Sequence, residues 1–153
     1  MFGLFKKKNL DVNEVLDGFK IDDPSLFVPW STNPVNLKDI FSGYELRCVV
    51  EDRYYTISCE VLDGLKCKLG FHFKPGGKLE FLEIFDIKMA DIYEEFEYCQ
   101  GFLERKYGKE FSGHSEDKDY PSYTWRVGKI KILHCISERF GLEHHVNIIN
   151  TRA

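Results

Sequence analysis

Histidines and one carboxylate are the residues here whose chemistry could exceed packing. His134 alternates with Ile130, Ile132 and Ile136, which places it on the apolar side of a strand. A hairpin centred near Phe140 would set His144 diagonally beside it. Together with His72, His145 and Glu83 these groups could form an acid–base or metal-binding cluster. Their spacing, however, matches no ligand set on any one element. His144 and His145 point to opposite faces of a strand, so both cannot serve one ion. A core histidine that hydrogen-bonds locally, with the others exposed, is the simpler expectation.

The hairpin at Leu65–Ile87 must position Glu83. Leu65, Cys67, Leu69, Phe71 and Phe73 alternate with Lys66, Lys68, Gly70, His72 and Lys74, giving one dry and one wet face. Leu79–Ile87 is apolar on both parities and reads as a central strand. Pro75-Gly76-Gly77 suits a three-residue loop with a left-handed glycine. That loop predicts Phe73 opposite Leu79, Phe71 opposite Phe81 and Cys67 opposite Phe85. Glu83 then faces Leu69 on the dry side, where burying its carboxylate would raise its pKa unless Arg47, Arg126 or Tyr55 paired with it. A pocket built on Glu83 with His72 or His134 is the enzymatic or small-molecule expectation.

A second group of residues suggests docking. Asp91–Tyr107 carries a capping pattern at Asp91 and Glu94, an apolar stripe of Ile92, Phe96, Cys99, Phe102, Leu103 and Tyr107, and a stop at Gly108. Its outer face collects Asp91, Glu94, Glu95, Glu97 and Glu104, and the following loop adds Glu116, Asp117 and Asp119. Tyr93, Tyr98 and Tyr107 lie on or near it. A solvated face is the ordinary outcome of such a charge run. With tyrosines among the carboxylates, it can instead attract and anchor a basic protein. Gly101 in mid-helix suggests a bend or a close backbone approach.

The remaining elements follow from caps and turns. Asp11 and Glu14 form a capping pattern for a short helix ending near Gly18, with Val15 and Leu16 inward; Ile21–Trp30, broken by two prolines, reads as extended or looped. Asn33-Pro34 opens a helix running to Gly43. Glu45–Val50, Tyr54–Val61, Leu65–Phe73 and Leu79–Ile87 form a meander, and Tyr123–Val127, Lys129–Ser137 and Glu143–Asn150 add three strands after the polar Ser112–Ser122 loop. Trp30 and Trp125 belong to the core or its rim, where each indole N–H needs an acceptor. The expected fold is α+β: a two-layer sandwich with a mainly antiparallel sheet of six or seven strands and helices mostly on one face.

Composition bounds the class. The chain has 153 residues, 43% of them hydrophobic, enough for one domain with a real core. We take residues 1–9 as a flexible tail and 10–153 as one domain. A net charge of −4 argues against nucleic-acid binding through a basic face. No apolar run is long enough for a membrane span, and MFGLFKKK reverses the order of a signal peptide. Contact of Phe2, Leu4, Phe5 and the lysines with a membrane surface is the alternative to a frayed start. Five cysteines without a CxxC pair read as small core hydrophobes in a reducing, cytoplasmic setting, with no metal site. Phosphate and dinucleotide loops are absent, so no cofactor is expected.

Val28–Trp30, LGFHFKPGGKLEFLEIF at Leu69–Phe85, LERKYGKE at Leu103–Glu110, Trp125 and RFGLEHHVNI at Arg139–Ile148 give the chain a layout from Ile21 onward. That layout resembles small bacterial α+β proteins, including immunity proteins that neutralise polymorphic toxins. The resemblance implies a cytoplasmic, non-enzymatic protein binder whose partner is a basic toxin domain. It carries no site residue with it. A small-molecule binder or hydrolase and a plain structural domain are the competing expectations.

Overall fold

The computed structural model describes residues 12–115 and 117–153. The expected tail at 1–9, the Asp11 cap and Glu116 lie outside the described residues. The chain is α+β, with two α-helices and a large antiparallel sheet. A 3-10 turn at Val12–Leu16 leads into a two-stranded sheet of β1 (Gly18–Ile21) and β2 (Leu26–Pro29). Helix α1 spans Pro34–Ile40, and α2 spans Ile92–Tyr107. The other strands are β3 (Arg47–Val50), β4 (Tyr54–Val61), β5 (Leu65–Phe73), β6 (Leu79–Phe85), β7 (Gly113–Ser115), β8 (Ser122–Val127), β9 (Ile130–Glu138) and β10 (Leu142–Asn150). They form one eight-stranded sheet in the order β3-β4-β5-β6-β10-β9-β8-β7.

The count exceeds the expected six or seven because Gly113–Ser115, read as loop, pairs with β8 through three residues. Ile21–Trp30 likewise hides a strand pairing: Gly18 to Ile21 run antiparallel to Leu26 to Pro29, with Pro24 confined to the connection. The helix signals are accurate. Asn33 Oδ1 accepts from Asn36 N at 2.8 Å, and Asp91 Oδ1 accepts from Tyr93 N at 2.8 Å and Glu94 N at 3.3 Å. These side chains satisfy amides that a helix start leaves without partners. Gly108 closes α2 with φ +85°. Gly101, in contrast, meets no close backbone: a Cβ there would touch only the Arg105 guanidinium at 3.4 Å.

One face of the large sheet is dry. Tyr55, Ile57, Leu69, Phe71, Leu82, Ile84, Val146, Ile148, Ile130 and Ile132 are buried on it. Cys99 and Leu103 of α2 join this core, Phe96 is buried against His134 and Tyr123, and Phe41, at the end of α1, meets Phe71 edge-on at 5.5 Å. Both tryptophans are core residues with satisfied indoles: Trp30 donates to Val15 O at 2.7 Å and Trp125 to Gly108 O at 2.9 Å. The free cysteines divide. Cys67 and Cys99 are buried, Cys59 and Cys135 half-buried, and Cys48 is exposed with its thiol on Glu51, so it is not the core residue expected.

The hairpin register differs from the sequence expectation by one residue, and the difference is consequential. The Pro75–Gly77 loop forms as expected, with Gly77 N donating to Lys74 O at 2.9 Å, and Phe73 does face Leu79. A bulge follows at once, because His72 pairs with Phe81 and leaves Glu80 without an opposite residue. Phe71 therefore faces Leu82 rather than Phe81, Lys68 rather than Cys67 faces Phe85, and Glu83 faces Gly70. A one-residue slip turns every later side chain to the other face. Leu82 and Ile84 enter the core, and Glu83 leaves it for the wetter face. The expected register would have buried an unpaired carboxylate among Leu69, Phe81 and Phe85, at a cost of several kcal/mol.

Candidate functional site

On the wetter face, Glu83 meets His72. Glu83 Oε1 lies 3.1 Å from His72 Nε2, with the two side chains 31% and 25% exposed. The imidazole is held between two rings, Tyr54 at 4.2 Å and Phe81 at 4.1 Å, both nearly parallel to it. Burial and the Glu83 carboxylate raise the Tyr54 phenol above its ordinary value. Gly70 makes the closure possible, since a Cβ there would come within 2.9 Å of the Tyr54 ring and 3.5 Å of Glu83 Oε1. None of the expected partners Arg47, Arg126 and Tyr55 holds Glu83 in a hydrogen bond or ion pair; His72 takes that place. The pair sits on a strand surface. A groove of about 780 Å³, lined by Asp23, Ser58, Cys59, Lys66, Cys67 and Asp86 among others, includes neither Glu83 nor His72.

His134 is not part of that pair, because it lies on the dry face, fully buried. Val146 stands directly opposite it and Ile136 opposite His144, so the two imidazoles are diagonal neighbours. Their Nε2 atoms are 2.8 Å apart. Helix α2 completes the cluster: Gln100 Oε1 is 2.7 Å from His134 Nδ1, Glu95 Oε2 is 2.6 Å from His144 Nδ1, and Phe96 stacks on His134 at 3.9 Å. Burial drives His134 strongly toward the neutral form, down to about 2, with His144 acting in the same direction. His145 points the other way, to Ser137 at 3.1 Å and Glu143 at 3.4 Å. Among the described residues, no group of three or more His, Cys, Asp or Glu side chains could hold a metal ion.

The acidic helix face is thinner than its sequence implies. Glu94, Glu97 and Tyr98 are exposed, whereas Glu95 turns to His144 and Glu104 accepts from Gln100 Nε2 at 2.8 Å. Asp91 is exposed but spends its carboxylate on the helix cap. Tyr107 is buried. The carboxylates gain company from elsewhere. The Tyr93 hydroxyl donates to Asp119 O at 3.1 Å, joining the start of α2 to the loop before β8. The Tyr120 hydroxyl donates to Glu138 Oε1 at 2.8 Å, joining that loop to the tip of the β9–β10 hairpin.

At this tip stands Phe140, 92% exposed, with Arg139 over its ring. One end of the molecule thus combines Asp91, Glu94, Asp117, Asp119, Glu138 and Glu143 with Tyr93, Tyr120 and Phe140, against Lys118 and Arg139. In the sequence Phe140 figures only as the centre of a turn. The signal was present: a phenylalanine beside glycine in a two-strand turn has no core to enter. Gln100 was missed because it falls on the apolar stripe as a polar residue, and only its partners explain it.

No helix among the described residues is long and apolar enough to cross a membrane. Comparison with known proteins found no matching family model, no matching curated sequence and no matching solved structure.

Proposed function

We propose that this chain is a non-enzymatic protein-binding domain, an immunity-type inhibitor that captures a basic toxin domain in the cytoplasm through its acidic, aromatic end. The observation that carries this is Phe140, almost fully exposed on a hairpin tip, with Glu138 and Glu143 beside it and Asp117 and Asp119 on the neighbouring loop. An exposed aromatic side chain gains most by entering a partner's pocket, and surrounding like charges select a partner of opposite sign and speed its approach. In this reading the helices form one layer over the sheet, and the end where both layers meet is the docking surface.

Affinity capture from the source cells, followed by reconstitution of the purified pair, tests it. Wild-type protein should retain a basic protein whose growth inhibition is relieved on co-expression. Phe140→Ala should weaken the purified pair at least tenfold, as expected for a central anchor. Glu94→Lys with Asp119→Lys should slow association and remove its salt dependence. Equal binding by all three proteins would overturn the proposal. The 3.1 Å His72–Glu83 contact favours a second reading, a small-molecule binder or hydrolase. Turnover of an activated ester that disappears in His72→Gln would support that reading instead.

A further inference from the structure

Four hydrogen-bond contacts run in series between α2 and the sheet, two of them crossing from one to the other. Glu104 Oε2 lies 2.8 Å from Gln100 Nε2, Gln100 Oε1 2.7 Å from His134 Nδ1, His134 Nε2 2.8 Å from His144 Nε2, and His144 Nδ1 2.6 Å from Glu95 Oε2. Donor and acceptor chemistry places the protons. An ionised Glu104 only accepts, so the Gln100 amide gives it an N–H and turns its carbonyl to His134. A carbonyl also only accepts, so His134 carries its proton on Nδ1 and leaves Nε2 bare. His144 must then donate its Nε2–H. With that proton in use, neutral His144 would present a bare Nδ1 to an ionised Glu95, lone pair against lone pair, at a side chain only 5% exposed. Moving the proton to Nδ1 repairs this contact and breaks the one to His134. The series closes only with one proton more than two neutral imidazoles supply.

We propose that Glu95 and His144 share this extra proton at neutral pH, and that it latches the first turns of α2 to β10. Burial, the largest influence, draws His144 below its ordinary value, and the Glu95 carboxylate draws it back up; the count of donors and acceptors along the series requires the proton all the same. Shared between a carboxylate and an imidazole, the proton leaves the pair neutral overall, which is how a buried site can hold it. The groups around the pair are Cys99 from α2 and His134 from β9, with Glu104 one step further along through Gln100 and Tyr123 of β8 opposite His134 and against the Phe96 ring. His145, next along β10, turns to Ser137 on the other face but still disfavours charge on His144. The folded chain thus holds a proton that an unfolded histidine releases at about pH 6.5. The latch is complete below that pH and is lost as pH rises through the folded value.

Imidazole nitrogen and Glu95 carboxyl-carbon NMR on the wild-type protein from pH 6 to 10 tests this directly, with His144→Gln used for assignment. At pH 7, His134 should be the neutral Nδ1–H tautomer, and the Glu95–His144 pair should hold a proton on both imidazole nitrogens or on the carboxyl group. An ionised Glu95 facing a singly protonated His144 at pH 7 would overturn the proposal. Glu95→Gln supplies an N–H of its own to a neutral Nδ1, so the series closes without the extra proton. Amide protection across residues 92–100 should fall at alkaline pH in wild type and stay level in E95Q; equal loss in both would also overturn it. If E95Q does not fold, the wild-type titration decides. Because Glu94 precedes Glu95, opening the latch should also disturb the docking end. That consequence rests on the proposed function, so the titration tests the proton and the binding assay tests the docking.

Discussion

Two histidine–carboxylate contacts occupy opposite faces of one sheet, and they are governed by different physics. His144 meets Glu95 at 2.6 Å with 5% of its side chain exposed, inside a chain of groups in which every proton is accounted for. His72 meets Glu83 at 3.1 Å with both side chains a quarter or more exposed, where water can replace either partner. Helix α2 makes the difference by supplying Glu95, Gln100 and Phe96 over the first pair. The same two residue types therefore form a structural commitment on one face and an adjustable surface feature on the other.

The largest expected contrast is in acid. The native value of His134 lies far below its unfolded one, so the unfolded chain takes a proton that the folded protein refuses. Its contribution to stability is complete above about pH 6.5 and falls on acidification, by about 3 kcal/mol at about pH 4. Urea unfolding across that range should show this slope in wild type and in His72→Gln, and a much flatter one in His134→Gln. A wild-type slope that survives His134→Gln would assign the acid sensitivity to other groups.

Next comes removal of the side chain at fixed pH. His134→Leu leaves Gln100 Oε1 and the His144 Nε2–H without partners in the core and should cost about 2–3 kcal/mol. His72→Leu, between two rings on the wetter face, should cost less than about 1 kcal/mol. Comparable losses at the two positions would break the distinction between the faces.

Smaller effects sharpen it. Gly70→Ala pushes a methyl group into the Tyr54 ring and should cost about 1–2 kcal/mol while moving the His72 ring resonances, whereas the His134 signals stay in place. Glu83→Gln should change stability by no more than about 0.5 kcal/mol. The pair of substitutions separates crowding on the open face from loss of its charge.

The elements with strong local signals were legible in the sequence. Asn33-Pro34 and Asp91 cap the two helices as their side chains require, and the alternation in Leu65–Phe73 names the buried set of β5 correctly. The diagonal placement of His134 and His144 also followed from strand parity around Phe140. What escaped was decided over distance. Glu80 has no sequence mark of a bulge; its place is set by the benefit of burying Leu82 and Ile84 instead of Glu83, which local turn rules do not weigh. Glu95 looks like one more member of an acidic run until His144 is brought beneath it by the sheet. Gly113–Ser115 becomes a strand only because β8 offers it an edge.

An eight-stranded sheet that does not close has two free margins, and each is a template onto which another chain could be stitched. Among the described residues the margins are β3 and β7, of four and three residues, and β3 is interrupted by a register shift between Cys48 and Val50. So short and irregular a border gives an incoming strand few amides and carbonyls to bond, although Val49 and Val50 are exposed there. The width of the sheet is thus kept from becoming a route to fibrous assembly.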